Sequence, residues 1–223
     1  MIRLTSTRNV LAATLSLSLL ATAAYAGPPM LCHPLETGGA PSLPWRGEGG
    51  WKGTRPDYDR ARLVPDTLAL LGADVPVIAR METLRRAALY AVDGGSGPAL
   101  RKALEARAQK AGRAEHALAQ FDLGYGMATL AQAGALAGRR GEIPPDAYRK
   151  IQDALREHGP DPSMEYAAAL VNHDGVHRDI AFAHLQRAVS AAPAGSPLAR
   201  TLTAHADMWG AALERARASV AQK

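Results

Sequence analysis

The side chains with the most obvious chemistry lie in one short segment, Cys32-His33-Pro34. A thiolate is a nucleophile and a metal ligand, and a neighbouring imidazolium is one of the groups that lower the pKa of a thiol. We therefore treat Cys32 and His33 as a candidate reactive thiol site. Adjacent side chains in an extended chain point in opposite directions, however, and no third catalytic partner is identifiable. A buried, inert cysteine is the favoured interpretation, followed by pairing between two chains and then by a metal or catalytic thiol.

Metal and cofactor motifs are incomplete in this chain. His173 and His177 have the spacing of zinc ligands on one helical turn, but Asp174-Gly175 between them is typical of a turn that breaks a helix. Covalent haem attachment needs Cys-x-x-Cys-His, and the chain has a single cysteine. We therefore predict no metal, no cofactor and no catalytic residue, which means a protein that is not an enzyme.

The first 26 residues are organised like a secretory signal peptide. Arg3 and Arg8 form a positive start, residues 10–21 are an apolar run, and Ala24-Tyr25-Ala26 places small residues at a cleavage site. The run of about 12 apolar residues is shorter than the roughly 20 needed to span a bilayer. We therefore predict cleavage near Ala26, a periplasmic or secreted location, and no stable membrane anchor.

Lipid attachment at Cys32 is disfavoured, because Pro29, Met30 and Leu31 precede it where a lipidation motif has small residues. Removal of residues 1–26 also changes the charge. The chain has 26 Lys and Arg against 21 Asp and Glu, and the signal segment holds two of those Arg and no acid, so the net charge falls from +5 to 24 − 21 = +3. No dense basic stretch with interleaved aromatics is present, and we predict no nucleic-acid partner.

Residues 27–60 differ in composition from the rest of the chain. They contain seven Gly and six Pro, a density that excludes long helices and strands. Trp45 and Trp51 argue against a solvated linker, because an indole gains from burial only when the chain lies on a folded surface. We predict an extended arm that docks on the helices. An arm that mediates oligomerisation is the alternative.

Residues that begin and end helices recur throughout residues 61–223. Pro follows a capping side chain at Asp161-Pro162 and at Ser196-Pro197. We predict that Ser196-Pro197 begins a single last helix. Apolar residues recur three and four apart, as expected for helices with one buried face. Gly124 and Gly126 interrupt a long helix predicted for residues 114–137, which favours a close helix crossing, with a kink as the alternative. The predicted fold class is all-α, with antiparallel helix pairs in a solenoid or an irregular bundle behind the arm.

Four pairs of apolar residues lie 34 residues apart. The pairs are Ala135 and Ala169, Ala147 and Ala181, Ile151 and Leu185, and Ala154 and Ala188. Small residues at fixed positions let paired helices approach closely, and a fixed period indicates repeated helix pairs. The pattern resembles the tetratricopeptide repeat over residues 128–161 and 162–195, with a looser third pair at 81–112. The aromatic residues of that family's first helix are absent here.

A second resemblance lies in the segments 31–34, 43–45 and 80–86, which look like those of uncharacterised exported bacterial proteins. This resemblance implies export and helical repeats but no activity.

The repeat resemblance implies a concave groove lined by residues of the first helix of each unit. At the matched positions these residues are Gln132, Arg139, Tyr166 and His173. Hydrogen-bonding groups, an arginine and an aromatic ring suit peptide recognition. We therefore predict an exported helical-repeat protein that binds or scaffolds a protein or peptide partner. The alternative is a thiol- or metal-dependent enzyme or carrier that uses Cys32 and His33.

Overall fold

The computed structural model describes residues 29–46, 52–139, 142–174 and 177–222, and the predicted signal peptide lies outside these ranges. Within them the chain forms eleven α-helices, one 3-10 turn (Arg60–Arg62) and no strand. The helices are α1 (Pro29–Cys32), α2 (Leu63–Ala69), α3 (Val77–Gly94), α4 (Gly97–Lys110), α5 (His116–Leu136), α6 (Pro145–His158), α7 (Pro162–Val171), α8 (Arg178–Ala191), α9 (Pro197–Ala204), α10 (Ala206–Trp209) and α11 (Ala211–Ala221). The predicted all-α fold is confirmed. Among the described helices, none is both long enough and apolar enough to cross a membrane.

Side-chain caps begin α7 and α9 where the sequence predicts them. Asp161 Oδ1 accepts hydrogen bonds from the N–H groups of Ser163 and Met164 at 2.8 and 2.9 Å. Ser196 Oγ accepts one from the N–H of Ala199 at 3.1 Å. These bonds satisfy first-turn N–H groups that have no carbonyl partner within their own helix.

The prediction of a single last helix after Pro197 is wrong. The chain is helical in three pieces, α9, α10 and α11, separated at His205 and Gly210. Gly210 has φ +50°, a backbone conformation that glycine adopts without the steric cost of a Cβ atom. The break at Gly210 redirects the chain, and α11 packs against α8.

Two helix hairpins form the body of the fold, α5 with α6 and α7 with α8. In three of the four 34-residue pairs both members are buried, whereas Ala169 is buried and Ala135 is exposed. A methyl group added to Gly124 would lie 2.7 Å from the carbonyl oxygen of Ala147, so the predicted close crossing is confirmed. The looser third pair differs, because α3 and α4 pack mainly on α5 and only slightly on each other.

A buried charge cluster ties α3, α4 and α5 together. Asp122 Oδ2 accepts hydrogen bonds from Arg80 Nη1 and Arg107 Nη1, both at 2.6 Å. Arg80 Nε also donates to the carbonyl oxygen of Val75 at 3.0 Å, and Arg107 Nη2 donates to that of Leu71 at 2.6 Å. Burial raises the pKa of Asp122 to about 6 against the opposing effect of the two arginines. The cluster therefore fixes the segment after α2 against the longer helices.

The described part of the arm packs on the helices, as predicted. Its buried apolar side chains are Met30, Leu31, Leu35 and Leu43. The arm then doubles back on itself, and the N–H of Arg46 donates to the carbonyl oxygen of Gly53 at 2.8 Å. Gly53 lies so close to the Trp45 indole that a side chain there would collide with the ring. Within the described part of the arm, α1 and a turn at Gly38 and Gly39, which both have positive φ, interrupt the extended conformation.

Candidate functional site

Two charged side chains in the middle of α3 bind the main chain of the arm. Glu82 Oε2 accepts a hydrogen bond from the N–H of Leu35 at 3.0 Å. Arg85 Nη1 donates to the carbonyl oxygen of Leu31 at 2.9 Å. Both side chains are 0% exposed. α3 is buried along most of its length, because the arm covers a face that would otherwise be open.

The following turns of α3 continue this contact. Arg86 Nη1 donates to the carbonyl oxygen of Leu43 at 2.6 Å. Tyr90 OH donates to the carbonyl oxygen of Pro44 at 2.7 Å and accepts from the N–H of Arg55 at 2.9 Å. Side chains four residues apart form one row along a helix. The row on α3 therefore runs beside the extended chain and binds it at successive main-chain groups.

Glu82 also joins two arginines into a buried ion cluster. Arg85 donates through Nε and Nη2 to the two carboxylate oxygens at 2.7 and 2.8 Å, and Arg86 Nε donates at 2.7 Å. Burial raises the pKa of Glu82, but the hydrogen bond and charge of Arg85 and the charge of Arg86 outweigh it and lower the pKa overall. The centroid of the Trp45 ring lies 4.8 Å from Arg85 Cζ and 5.5 Å from Arg86 Cζ, which is cation–π geometry. The cluster is therefore ionised and covered by the arm.

The carboxy-terminal helices hold the arm through a chain of hydrogen bonds. His205 Nε2 lies 2.9 Å from the carbonyl oxygen of Pro34, and Nδ1 lies 2.6 Å from Tyr166 OH. Because a carbonyl oxygen only accepts, Nε2 carries the proton and Nδ1 accepts from the phenol. Trp209 Nε1 donates to the same phenol oxygen at 3.1 Å. Burial lowers the pKa of His205 to about 4, partly offset by the bond to Pro34, so the imidazole is neutral at pH 7.

Two further side chains complete the surface that holds the arm. Gln132 Oε1 accepts from the N–H of Met30 at 3.1 Å, and Thr201 Oγ1 accepts from the N–H of Glu36 at 2.9 Å. We call this surface the arm groove, and its polar residues are Glu82, Arg85, Arg86, Tyr90, Gln132, Thr201 and His205. Each of them bonds to a main-chain atom of the arm. The arm groove therefore recognises an extended chain through its backbone, while buried leucines of the arm supply apolar contact.

The candidate thiol site lies in the arm, beside the arm groove. Cys32 and His33 are both partly buried. Burial raises the pKa of the Cys32 thiol, and the charges of Arg85 and Lys52 only partly offset this effect. The pKa of His33 is lowered, mainly by burial, and its ring centroid is 5.3 Å from that of His205. A raised thiol pKa beside a neutral imidazole leaves little thiolate at neutral pH, so this environment does not activate Cys32 as a nucleophile.

Two of the four residues predicted to contact a partner belong to the interior beneath the arm. Gln132 binds the arm directly and is 7% exposed. Tyr166 is 0% exposed and contacts His205 and Trp209. The predicted placement of Tyr166 on an open groove is therefore corrected, since its side chain is a core residue that supports the arm groove from below.

The other two predicted partner residues lie elsewhere. His173 packs edge-on against Trp209, with ring centroids 4.7 Å apart, and its Nδ1 is 2.7 Å from Asp174 Oδ1. Arg139 is exposed and donates to the carbonyl oxygen of Val92 at 3.2 Å. The structure therefore does not bring the four predicted residues into one surface.

Sequence reasoning did not identify most of the residues that bind the arm. In the sequence, residues 80–86 stand out only through a resemblance to uncharacterised exported bacterial proteins. A usable signal is present, because Arg85 and Arg86 follow Glu82 at the helical spacings of three and four, while apolar Met81 and Leu84 flank Glu82. Thr201 and His205 carried no such signal.

The described residues define an all-helical protein in which antiparallel helix pairs hold an extended arm. Across the described ranges, no group of three or more His, Cys, Asp or Glu side chains is placed to hold a metal ion. No family model, no curated protein and no solved structure matches this chain. The arm groove is therefore the feature that carries a functional proposal.

Proposed function

We propose that this chain is an exported helical-repeat scaffold that binds a protein or peptide partner in extended form. The observation that carries the proposal is the arm groove, where helix side chains hold an extended chain by its main-chain groups. Main-chain hydrogen bonds combined with pockets for particular side chains are a recurring way to bind extended peptides. In this proposal, residues 29–46 act as an internal ligand that a partner segment replaces.

The tetratricopeptide-like arrangement of the two hairpins supports the same proposal. In both hairpins the second helix buries small residues at matched positions, Ala147 and Ala181, and Ala154 and Ala188. Stacked helix pairs of this kind present extended surfaces for partners. Because α3 and α4 pack mainly on α5, the proposed repeat array consists of two units.

Export is part of the proposal. The positive start, the short apolar run and the small residues at Ala24-Tyr25-Ala26 support cleavage near Ala26. Cleavage there leaves two residues before α1, whose Met30 N–H binds Gln132 of the arm groove. A single cysteine whose thiol pKa is raised by burial is compatible with an oxidising compartment.

Binding in trans tests this proposal. Leu43→Ala removes a fully buried side chain of the arm and weakens the internal ligand by about 2–5 kcal/mol, while the arm groove keeps all its residues. A labelled peptide with the sequence of residues 29–46 is titrated into the mature protein and into this variant. We expect saturable binding that is at least about tenfold tighter for Leu43→Ala than for the wild type, because the internal ligand competes less.

Leu136→Ala is the matched control, since Leu136 is 40% exposed and lies outside the arm. A peptide of the same composition in scrambled order is the second control. Circular dichroism and thermal unfolding establish that each variant is folded. Absence of binding to folded Leu43→Ala protein, or equal binding of the two peptides, contradicts the proposal.

A further inference from the structure

A second groove lies where α8 and α11 begin. Its volume is about 370 Å³. Arg178 of α8 and Arg215 of α11 line it, and Phe182, Met208 and Trp209 contribute apolar surface. We call this surface the basic groove. It is separate from the arm groove, although Trp209 contributes to the structure beneath both.

The two arginines of the basic groove have no carboxylate partner in the part of the chain that the structure describes. Arg215 Cζ lies 5.2 Å from the centroid of the Phe182 ring, which is a cation–π contact. Asp174 also lines the groove, but its carboxylate is 2.7 Å from His173 Nδ1. The guanidinium groups therefore remain available to a carboxylate from outside.

The neighbouring groove between α7, α8 and α11 is a useful contrast. It also contains an arginine, Arg187, but Arg187 Nε is 2.9 Å from Glu165 Oε1. Hydrogen bonds from His184 and Arg187 outweigh the effect of burial and lower the pKa of Glu165, so this pair is ionised and satisfied. An acidic ligand would have to displace Glu165 there, whereas nothing needs to be displaced in the basic groove.

The ends of two helices add to the positive potential of the basic groove. Both α8 and α11 begin there, and neither has a side-chain cap. The amino-terminal end of a helix carries a partial positive charge. The arginines carry whole charges, however, and therefore dominate the recognition of an anion.

The geometry points to a binding site in the basic groove for an acidic peptide segment of a partner protein, with carboxylates next to apolar residues. Arg178 and Arg215 receive the carboxylates, and the apolar wall receives the adjacent side chains. Two arginines and one aspartate give too small a charge for a nucleic acid, whose affinity depends on many phosphate contacts. This inference rests on the proposed function only in that the partner is a protein, because the surface is a different one.

Calorimetric titration of the full mature chain with two probe peptides tests the inference. The probes are acetyl-Phe-Glu-Leu-Glu-amide and its neutral counterpart acetyl-Phe-Gln-Leu-Gln-amide. We expect the acidic peptide to bind at least about tenfold more tightly at low ionic strength, and this preference to shrink as salt is added. Equal affinity of the two peptides overturns the inference, as does tighter binding of inorganic phosphate or of an oligonucleotide than of the acidic peptide.

Single substitutions locate the binding. Arg178→Gln and Arg215→Gln are each expected to weaken the binding of the acidic peptide by about three- to tenfold. Arg217→Gln is the matched control on the same helix, because Arg217 is paired with Glu214 at 3.1 Å and does not line the groove. An equal loss in the control overturns the inference. If the acidic peptide does not bind while the arm peptide still binds the Leu43→Ala variant, this site alone is rejected. If neither peptide binds, the scaffold proposal is rejected as well.

Discussion

The imidazole Nε2 of His205 lies 2.9 Å from the carbonyl oxygen of Pro34, a residue 171 positions earlier in the chain. This contact joins the carboxy-terminal helices to the arm. The hydrogen bond to Pro34 by itself favours the protonated imidazole, but burial of the ring outweighs it and keeps the imidazole neutral. Protonation at Nδ1 would place an N–H against the Tyr166 hydroxyl, which already accepts a hydrogen bond from Trp209. The docked arm is therefore coupled to the charge state of one histidine.

The contribution of His205 to stability is expected to fall in mild acid. Its pKa is about 4 when folded, against the ordinary value of 6.5. Between these values His205 binds more protons in the unfolded chain than in the folded one, so its contribution to the free energy of unfolding decreases as pH falls from about 6.5 to about 4 and is constant above that window. Asp122, whose pKa is raised to about 6, contributes in the opposite direction between about 6 and 3.8. The shift of His205 corresponds to about 3 kcal/mol. Urea unfolding at a series of pH values measures it.

His205→Gln is the informative variant, because glutamine keeps a donor and an acceptor but does not titrate. The slope of the unfolding free energy against pH reports the number of protons taken up on unfolding. We expect His205→Gln to lower this number by nearly one in that window. Some slope remains, since burial also lowers the pKa of His33 and raises that of Asp122 to about 6. His116→Gln is the control, because His116 is an exposed histidine paired with Glu157. An unchanged slope in His205→Gln contradicts the assignment.

The ion cluster on α3 is expected to be sensitive to the loss of one partner. Glu82→Gln leaves two guanidinium groups without their carboxylate in a buried site, and Arg85→Met leaves the carboxylate short of a partner. Each change is expected to cost about 3–5 kcal/mol, and the double variant less than the sum. Arg101→Gln is the control, since its pair with Glu105 is exposed and is worth at most about 0.5 kcal/mol. Additive losses in the urea-unfolding cycle would show that the pair is not coupled.

Two glycines of α5 are expected to respond in opposite ways to alanine. Gly124→Ala places a methyl group 2.7 Å from the carbonyl oxygen of Ala147 and is expected to destabilise the fold by about 1–3 kcal/mol. A methyl group at Gly134 meets nothing within 4 Å, so Gly134→Ala is expected to stabilise it by about 0.5–1 kcal/mol. Thermal unfolding of both variants measures the difference. If Gly124→Ala stabilised the fold as Gly134→Ala is expected to, α5 and α6 would not cross closely at Gly124.

The Cys32 thiol is expected to react slowly in the folded protein. Burial raises its pKa, which reduces the thiolate available at neutral pH. Reaction with an aromatic disulfide reagent should be at least about tenfold slower in the folded protein than in urea. Cys32→Ser, which abolishes the signal, is the control for reagent specificity. A folded-state rate above the unfolded one would revive the thiol-dependent alternative.

The sequence predicts the parts of this structure that depend on local signals. Proline, capping residues and apolar periodicity locate the helices, and Gly124 marks the close crossing. Trp45 and the density of proline and glycine predict a docked arm. These signals lie within a few residues of the feature they specify, which is why one chain is enough to recognise them.

The arm groove is not predictable in the same way. Glu82 and Arg85 have the appearance of a solvated helix face, and they are buried only because the arm arrives from 47 or more positions away. The repeat pattern predicts Tyr166 on an open surface, because such a pattern indicates which face is concave but not what fills it. Long-range pairing of polar groups with main-chain atoms leaves no local trace in the sequence.

Native-state hydrogen exchange at the Leu35 amide tests the central claim most directly, because this N–H donates to the buried carboxylate of Glu82. In the wild-type protein we predict that the Leu35 amide is protected almost as strongly as the amides of α3. Glu82→Gln should reduce protection at Leu35 by at least about tenfold more than at amides of α8, which lies outside the arm groove. Exchange of Leu35 at the rate of an unstructured peptide in the wild type would contradict an arm held by the helices as an extended ligand.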